Sequence, residues 1–395
     1  MGRIISISAR QIPYPRQLRY PVALSMEPIT HFLTGYCIGR AGFNRKSACA
    51  TIVATLAAEA ADLDVLWGFR GPVATLQHHR GITHTLIGAP VVAAVVTGVI
   101  GALYARRQRK LGHPTLSQND GARNRRPGLN WVWLYFTALV AAFSHILLDW
   151  TNNYGVRPFF PFNPRWYAGS FVFIAEPVWW ALLLAAVILP AVFGLADREI
   201  GARRSVFRGR GWATFALAGM TVFGCWRWAE RAQAEALLRN TQIANVPATR
   251  IGVEPYPVNP WHWHAIEETP GFYQTAEIHT NTGQIDSDPQ TDVLYKPADT
   301  PAIEVAKQTY LGKVYLDWGS WAVVRDLGQT PVPGSDPPNL ARGSAWTTVE
   351  FTDLRFAYAF RGEHNARPPS GLSGWVYVID NRDDGGQFMG GREQK

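Results

Sequence analysis

The sequence predicts a mainly α-helical membrane protein, with about six membrane helices in a bundle followed by a small β-rich domain outside the membrane. Two observations support this fold class. Apolar residues concentrate in the first 230 of the 395 positions, in runs of about 20 residues, the length that spans the hydrocarbon of a bilayer. After these runs, short β-like segments are separated by Pro, Gly, Asn and Asp, which is typical of strands joined by turns.

The first 27 residues precede the helical runs and are interpreted as an N-terminal extension. The apolar run Ile4–Ala9 is too short for the core of a signal peptide, and prolines interrupt the sequence that follows. An over-extended start, with Met26 as the native initiator, is the alternative interpretation of this extension.

The membrane domain is predicted to cover residues 28–230. Its six helical segments lie near residues 29–43, 47–67, 82–105, 131–150, 172–195 and 211–230. Tryptophans flank several of them, as in the aromatic belts of membrane interfaces. The second segment ends in Glu59, Asp62 and Asp64, so this end must face protein or water rather than lipid.

Basic residues in two loops predict the orientation of the bundle. Loop 106–126 holds seven Lys and Arg residues and loop 198–210 holds five, the excess that marks cytoplasmic loops. Alternation from these loops places loops 68–81 and 151–171, and everything after about residue 230, on the outer side. The same topology gathers seven polar side chains on that side: His31, Asp62, Asp64, His79, His84, His145 and Asp149.

Residues 231–380 are predicted to form the β-rich extracytoplasmic domain, and residues 381–395 a disordered tail. The expected strands are 293–295, 314–318, 321–324, 347–351, 356–360 and 374–379. The aromatic and histidine cluster Asn259–His264 is expected either to cap the membrane site or to pack the domain on the bilayer. The net charge of +8 comes largely from loop arginines, so we expect no nucleic-acid partner.

The stretch from His78 to His84 is the strongest functional signal. Ionisable groups at a membrane boundary are costly and usually functional. We interpret His79 and His84 as metal ligands and Arg80 as a contact for an anionic substrate group. Pairing of Arg80 with lipid headgroups is the alternative, and His78 is expected to be exposed.

A second signal is the pair His145 and Asp149, which share one helix face because they are four residues apart. The spacing suits two ligands of one cation, a histidine oriented by a carboxylate, or a simple helix-end hydrogen bond. Asp62 and Asp64 are two residues apart, so one can ligate while the other orients a histidine or acts as a base. His31 is included because the predicted topology places it on the same side of the membrane as the other candidate ligands.

A His and Asp set of this size predicts one or two divalent metals. We expect zinc, with manganese or iron as alternatives, because imidazole and carboxylate accept all three. The expected chemistry is a metal-bound water that attacks an ester or phosphoester. A Ser–His–Asp triad is disfavoured because the adjacent Ser144 and His145 diverge on a helix. The three cysteines, without close spacing, predict no zinc knuckle.

At these residues the chain resembles the inner-membrane metal-dependent hydrolase family, also described as LexA-binding, inner-membrane-associated hydrolases. The similarity covers about residues 28–195 and rests on these motifs: Thr30-His31, Asp62-Leu63-Asp64, His79-Arg80-Gly81-Ile82-Thr83-His84, Ser144-His145-Ile146-Leu147-Leu148-Asp149 and Ile174-Ala175-Glu176-Pro177. Ala61 replaces a proline that is usual in the family, and Glu176 replaces an aspartate. A glutamate can still ligate from its longer arm, so Glu176 joins the predicted ligands.

The resemblance implies a multi-pass hydrolase of the bacterial inner membrane. The predicted metal ligands are His31, Asp62, His79, His84, His145, Asp149 and Glu176, and the predicted catalytic residues are Asp64 and Arg80. The expected partners are the lipid bilayer and a lipid-like or anionic ester or phosphoester; the oligomeric state is left open. A non-catalytic metal-binding or envelope-stress membrane protein is the competing class. A transporter is disfavoured because the ligands cluster at one surface rather than at the midplane.

Overall fold

The computed structural model describes residues 28–111, 127–200, 209–241, 243–244, 246–288, 292–338, 344–357 and 372–394. Three sequence predictions concern residues that lie wholly or largely outside these ranges. The N-terminal extension at 1–27 lies outside the described residues. So do most of the two basic loops, at 112–126 and 201–208, and most of the expected strand at 356–360.

The N-terminal region is helical, as predicted. In the described residues seven α-helices precede the first strand: α1 (Pro28–Ala41), α2 (Ala50–Glu59), α3 (Pro72–His78), α4 (Gly88–Leu111), α5 (Trp131–Thr151), α6 (Pro177–Glu199) and α7 (Arg210–Thr241). Three stretches are long and apolar enough to cross a membrane: Gly88–Leu111, Trp131–Thr151 and Pro177–Asp197. Six membrane helices are therefore not confirmed, and α1, with 14 residues, is too short to span the hydrocarbon at 1.5 Å per residue.

The expected helix at 47–67 is replaced by α2 and a 3₁₀ segment, Ala60–Arg70. A 3₁₀ helix has three residues per turn, so Leu63, Leu66 and Phe69 lie on one side, and all three are exposed. Asp62 and Asp64 are buried on the other side. The tighter helix thus turns both carboxylates into the protein, which a continuous α-helix would not do for residues two positions apart.

Two further predicted helices start later than expected. The segment at 82–105 begins with a 3₁₀ turn, Ile82–His84, and becomes α-helical only at Gly88. The segment at 172–195 becomes helical at Pro177, whose fixed φ and missing N–H suit the first position of a helix. Both corrections place loop residues, rather than membrane helix, next to the predicted site.

Helix α1 packs closely on α2 because two glycines face it. A Cβ added at Gly35 would lie 2.5 Å from the carbonyl oxygen of Ala54, and one at Gly39 would lie 2.5 Å from the Cα of Thr51. Small residues one turn apart let two helix backbones approach, as in membrane helix pairs. The alanine-rich face of α2 then packs on α5, in one buried cluster that includes Ala54 and Ala138. This packing fixes the N-terminal end of α1 against the C-terminal end of α5.

The C-terminal domain contains two antiparallel sheets, which confirms the predicted β-rich architecture. The first sheet has the order β1-β2-β3-β4, with β5 also on β3. Its strands are β1 (Arg250–Pro255), β2 (His262–Glu268), β3 (Phe272–His279), β4 (Gln284–Asp286) and β5 (Val293–Tyr295). The second sheet has the order β10-β9-β8-β7-β6, with β6 (Ala322–Asp326), β7 (Trp346–Asp353), β8 (Gly374–Ile379), β9 (Asp383–Met389) and β10 (Arg392–Glu393).

Two predictions in this domain are corrected. The expected strand at 314–318 belongs to a helix, α9 (Tyr310–Trp318), which follows α8 (Pro301–Gln308). The side chain of Thr309 caps α9 by accepting a hydrogen bond from the N–H of Gly312 at 3.1 Å. The sequence prediction considered only the apolar run and did not use this capping residue. The predicted tail at 381–395 is replaced by the paired strands β9 and β10.

The domain docks onto the helical region through both sheets. Trp263 of β2 is fully buried against α7, where the guanidinium of Arg227 lies 3.9 Å from its ring centroid. Its neighbours His262 and His264 approach Glu277 within the sheet, at 2.5 and 3.5 Å. The cluster predicted at Asn259–His264 therefore packs this sheet on α7 rather than supplying side chains to the metal-binding groups described below.

We expect the α1–α2 contact to be sensitive to a single methyl group. Gly35→Ala should lower the thermal unfolding temperature in detergent, because the close-packed backbone cannot yield without about 1–3 kcal/mol of overpacking cost. Gly98→Ala in α4 is the matched control, since a Cβ there meets nothing within 4 Å. Tryptophan fluorescence during heating measures both variants. Equal unfolding temperatures for the two variants would contradict this account of the packing.

Candidate metal centre

Four structural elements bring the predicted site residues together. Helix α1 supplies His31, the 3₁₀ segment supplies Asp62 and Asp64, the turn after α3 supplies His79, Arg80 and His84, and α5 supplies His145 and Asp149. Each of these eight residues is at most 8% exposed. The α-helices begin or end at this point, so the side chains converge at one end of the membrane region.

At the centre, four donor atoms face one another. The Nε2 atoms of His84 and His145 are 2.9 Å apart. Asp62 Oδ1 lies 3.2 Å from His84 Nε2 and 3.5 Å from His145 Nε2. Asp149 Oδ2 lies 3.4 and 3.2 Å from the same two atoms. Two imidazoles and two carboxylates therefore share one small volume.

The protons of both histidines point away from this volume. His145 Nδ1 lies 2.5 Å from the carbonyl oxygen of Ala58, which only accepts, so Nδ1 carries the proton. His84 Nδ1 lies 3.2 Å from Asp64 Oδ2, a carboxylate acceptor. In the neutral form of each ring, the Nε2 lone pair is thus turned toward Asp62 and Asp149. This is the orientation that metal-bound histidines take when a second group holds the other nitrogen.

A cation fits this arrangement on electrostatic grounds. Asp62, Asp64 and Asp149 carry three negative charges and Arg80 carries one positive charge, so this contact set keeps two negative charges when the histidines are neutral. One divalent ion would balance them. Within the described residues, His79 Nε2 and Asp149 Oδ2 are also buried atoms without a hydrogen-bond partner. Buried polar atoms are costly unless something satisfies them.

The donors form three overlapping groups, each with ligand atoms within 4.8 Å of one another. The groups are His31, His145 and Asp149; Asp62, His84 and His145; and Asp62, Asp64 and His79. His145 and Asp62 are each shared between two groups. The ring of His31 stacks on His145 with centroids 3.9 Å apart, and its Nε2 lies 3.4 Å from Asp149 Oδ1. The three linked donor groups are sufficient to ligate one or two divalent ions.

Asp64 holds the loop that carries two of the histidines. Its Oδ1 accepts from His79 Nδ1 at 3.0 Å, and its Oδ2 accepts from the backbone N–H of Arg80 at 2.9 Å as well as from His84. Burial raises the pKa of the Asp64 carboxyl, but the hydrogen bonds from His79 and His84 outweigh it and leave the pKa below its ordinary range. Asp64 is thus an ionised carboxylate that orients His79 and His84.

Arg80 is committed to interactions within the protein. Its φ of +55° is left-handed, a conformation that non-glycine residues adopt only where their surroundings enforce it. Its Nη2 lies 2.6 Å from Asp149 Oδ1, and its Nη1 donates to Asn152 Oδ1 at 3.2 Å and to the carbonyl of Gly155 at 2.7 Å. The guanidinium therefore positions Asp149. Its role as a substrate anion contact stays a prediction.

Two residues lie outside the donor groups formed by the described part of the chain. Glu176 is buried before α6, where its Oε1 accepts from the N–H of Val178 at 3.2 Å. Burial raises the pKa of its carboxyl, and the Val178 hydrogen bond and the Arg227 charge only partly oppose this. Its assignment as a ligand stays a prediction. His78 stacks on Trp67 with ring centroids 3.9 Å apart.

Sequence reasoning did not identify two partners of the site, the carbonyl of Ala58 and the side chain of Asn152. A carbonyl carries no residue signature, so Ala58 could not have been found from the sequence. Asn152 follows α5 directly in the run Asn152-Asn153-Tyr154-Gly155, which is typical of a turn at a helix end. The turn-forming composition of this run is the sequence signal that could have identified Asn152 as a partner of the site.

A small cavity opens beside the centre. Its polar wall includes His31, Arg80 and Asp149, and its apolar wall includes Phe173 and Trp179. A ligand in this cavity would meet charged groups at one side and aromatic surface at the other. The cavity has room for about one water molecule next to the donors.

Comparison with known proteins assigns the chain to a family. The family model described as YdjM inner membrane protein matches residues 26–234, more than half of the chain. The chain belongs to this family. All of the donors lie within the YdjM match, whereas the C-terminal β-domain lies beyond it.

The YdjM match is accompanied by similarity to a curated protein. YfhP of Bacillus subtilis (strain 168), described as an uncharacterized protein, is 22% identical over 172 residues. The alignment covers 42% of this chain and 46% of YfhP, so the chain spans less than half the length of that relative. No solved structure matches the chain.

The role of Asp64 can be tested without removing a central donor. Asp64→Asn removes the carboxylate that accepts from His79 and His84, and loss of such an orienting group typically weakens metal affinity about 10–100-fold. Competition with a chromophoric chelator measures the affinity. Asp286→Asn is the control, because this exposed carboxylate lies in the β-domain beside His279. Unchanged affinity in Asp64→Asn would contradict the orienting role.

Proposed function

We propose that this chain is a membrane-bound, metal-dependent hydrolase that cleaves an ester or phosphoester of a lipid-like or envelope substrate. The observation that carries the proposal is the convergence of His84 Nε2, His145 Nε2 and two carboxylates, with the histidine protons turned away. Such a donor set is typical of zinc, and its imidazole and carboxylate ligands also admit manganese or iron.

The proposed roles follow from the contacts of each residue. Asp62, His84, His145 and Asp149 would hold the metal, and His79 and His31 extend the donor set on either side. When bound, such a metal supplies a water whose pKa is lowered to near neutrality. Asp64 keeps the lone pairs of its two histidines aimed inward, and Arg80 fixes Asp149.

The position of the site supports a lipid-like substrate. The small cavity at His31, Asp149 and Trp179 has room for about one water molecule, so a substrate would approach from outside it. Helices α4 and α6 begin, and α5 ends, on the side of the centre. This arrangement favours a site at the level where lipid headgroups meet hydrocarbon. The arginine distribution favours the outer side of the bacterial inner membrane, with the C-terminal domain on the same side.

A non-catalytic metal-binding or envelope-stress role is the second candidate. One observation favours it: Asp64 and Arg80, the two residues predicted to act on substrate, are engaged in orienting other site residues. A site built only to hold a metal needs those contacts and no further base. The two functions differ in whether bound metal leads to turnover.

The deciding experiment combines metal content with hydrolysis. The full chain, purified in detergent, should bind at least one divalent metal, and His84→Ala and His145→Ala should each reduce metal affinity roughly tenfold or more, because each loses a central donor. His78→Ala is the matched control, since His78 stacks on Trp67 outside the donor groups. Metal content is measured by plasma mass spectrometry. Release of product from a panel of phospholipids and acyl esters is followed by mass spectrometry.

Each result separates the candidates. Metal-dependent cleavage in wild type and His78→Ala, lost in His84→Ala and His145→Ala, supports the hydrolase. Bound metal without cleavage of any panel member supports the metal-binding alternative. A folded wild-type protein that takes up no metal from a supplied excess would contradict both.

A further inference from the structure

We infer that the C-terminal β-domain is a structural part of the metal centre, and that Arg355 is the positioning residue that connects the two. The inference rests on the proposed metal site and assigns a role to a domain that lies beyond the family match. Its basis is a continuous series of contacts from the second sheet to Asp149.

The series begins at Arg355, which follows β7 and is 2% exposed. Asp353 holds its guanidinium with both oxygens, at 3.0 Å from Nε and 3.0 Å from Nη2. Its Nη2 also donates to the carbonyl of Trp318 in α9 at 3.2 Å. Its Nη1 reaches outside the domain, where it donates to the carbonyl of Asn153 at 2.8 Å and lies 3.4 Å from that of Tyr154. An arginine held by a carboxylate in this way presents its other N–H groups in a fixed geometry.

The loop that Arg355 holds is the loop that holds Arg80. Asn152 and Gly155 accept from Arg80 Nη1, and the ring of Tyr154 lies under its guanidinium with 4.7 Å to the centroid. Arg80 in turn contacts Asp149, one of the central donors, at 2.6 Å. A shift of the 152–155 backbone would therefore move the group that fixes Asp149.

A second connection reaches the other wall of the centre through α3. The side chain of Gln394 accepts from the N–H of Val73 at 2.9 Å and donates to the carbonyl of Arg70 at 2.6 Å, so it caps the start of α3. Tyr310 donates to Gln77 Oε1 at 2.6 Å near the end of the same helix. Helix α3 leads directly to His79 and Arg80.

A shared hydrophobic core makes these polar contacts rigid. Val73 and Leu76 of α3, and Tyr154 of the loop, are buried in one cluster with residues of the C-terminal domain. Among the latter are Tyr315 and Trp318 of α9, each at most 1% exposed. Because packed interiors transmit small displacements, the domain fixes both loops of the centre at once.

The test uses the full chain with Arg355→Gln, Arg355→Lys and the control Arg325→Gln. Arg325 pairs with Glu350 across β6 and β7 of the same sheet, so its loss perturbs the domain without touching loop 152–155. Arg355→Gln should weaken zinc affinity about tenfold, the lower end for residues that orient metal ligands. It should also change the visible absorption of the cobalt-loaded protein, which reports ligand geometry. Arg355→Lys keeps the charge and should recover part of the affinity.

Amide hydrogen exchange in the metal-free protein provides a readout that does not depend on metal. Arg355→Gln should accelerate exchange at 149–157 and 79–85, and Arg325→Gln should not. If Arg355→Gln does not fold, the same comparison is made with Arg355→Lys. The inference would be overturned if a folded Arg355 variant had the same zinc affinity, cobalt spectrum and hydrogen-exchange rates as the wild-type protein. If the wild-type protein binds no metal but Arg355→Gln still accelerates exchange at 149–157 and 79–85, the result would count against the proposed function alone.

Discussion

The structure depends on one electrostatic constraint: the Nε2 atoms of two buried imidazoles lie 2.9 Å apart, and one carboxylate oxygen of Asp62 and one of Asp149 each lie within 3.5 Å of both. In a medium of low dielectric, such atoms repel strongly unless a positive charge lies among them. The Ala58 carbonyl and the Asp64 carboxylate hold one proton on the far side of each ring, so the positive charge comes either from a second proton on an Nε2 atom or from a bound cation. In the proposed function a divalent cation supplies it, and the surrounding contacts hold its ligands in place.

Several features of the fold position the side chains that form this centre. Gly35 and Gly39 let α1 approach α2 closely enough to place His31 over His145. The 3₁₀ segment turns Asp62 and Asp64 inward while its apolar residues face outward. Beyond the membrane region, α3 and the loop after α5 are packed into the core of the C-terminal domain. The donors come from α1, the 3₁₀ segment, the turn after α3 and the end of α5, and the C-terminal domain packs on the loops between them.

Much of this site could be predicted from the sequence, and the reasons are local. The spacing of His145 and Asp149 on a helix and the asymmetry of loop arginines placed on one face the polar residues that the structure brings together, and their assignment as metal ligands stays a prediction. Six membrane helices are not confirmed, because an apolar run is compatible with burial in lipid or in protein, and because α1 has only 14 residues and the second segment continues as a 3₁₀ helix with Asp62 and Asp64 buried. The connection of Arg355 to Asn153 joins positions about 200 residues apart, so no local pattern could reveal it. The strand expected at 314–318 failed because Val314, Tyr315 and Trp318 form a helical face that a short apolar run cannot distinguish from a strand.

X-ray absorption spectroscopy of the zinc-loaded protein tests the central claim most directly, because it reads the ligand atoms around the metal. We predict nitrogen and oxygen ligands at about 2.0–2.2 Å with the outer-shell scattering of at least two imidazoles. His84→Ala should remove about one imidazole from that signal, whereas His78→Ala should leave it unchanged. A spectrum without imidazole scattering, or one with sulfur ligands at about 2.3 Å, would contradict the assignment of His84 and His145 as the central ligands.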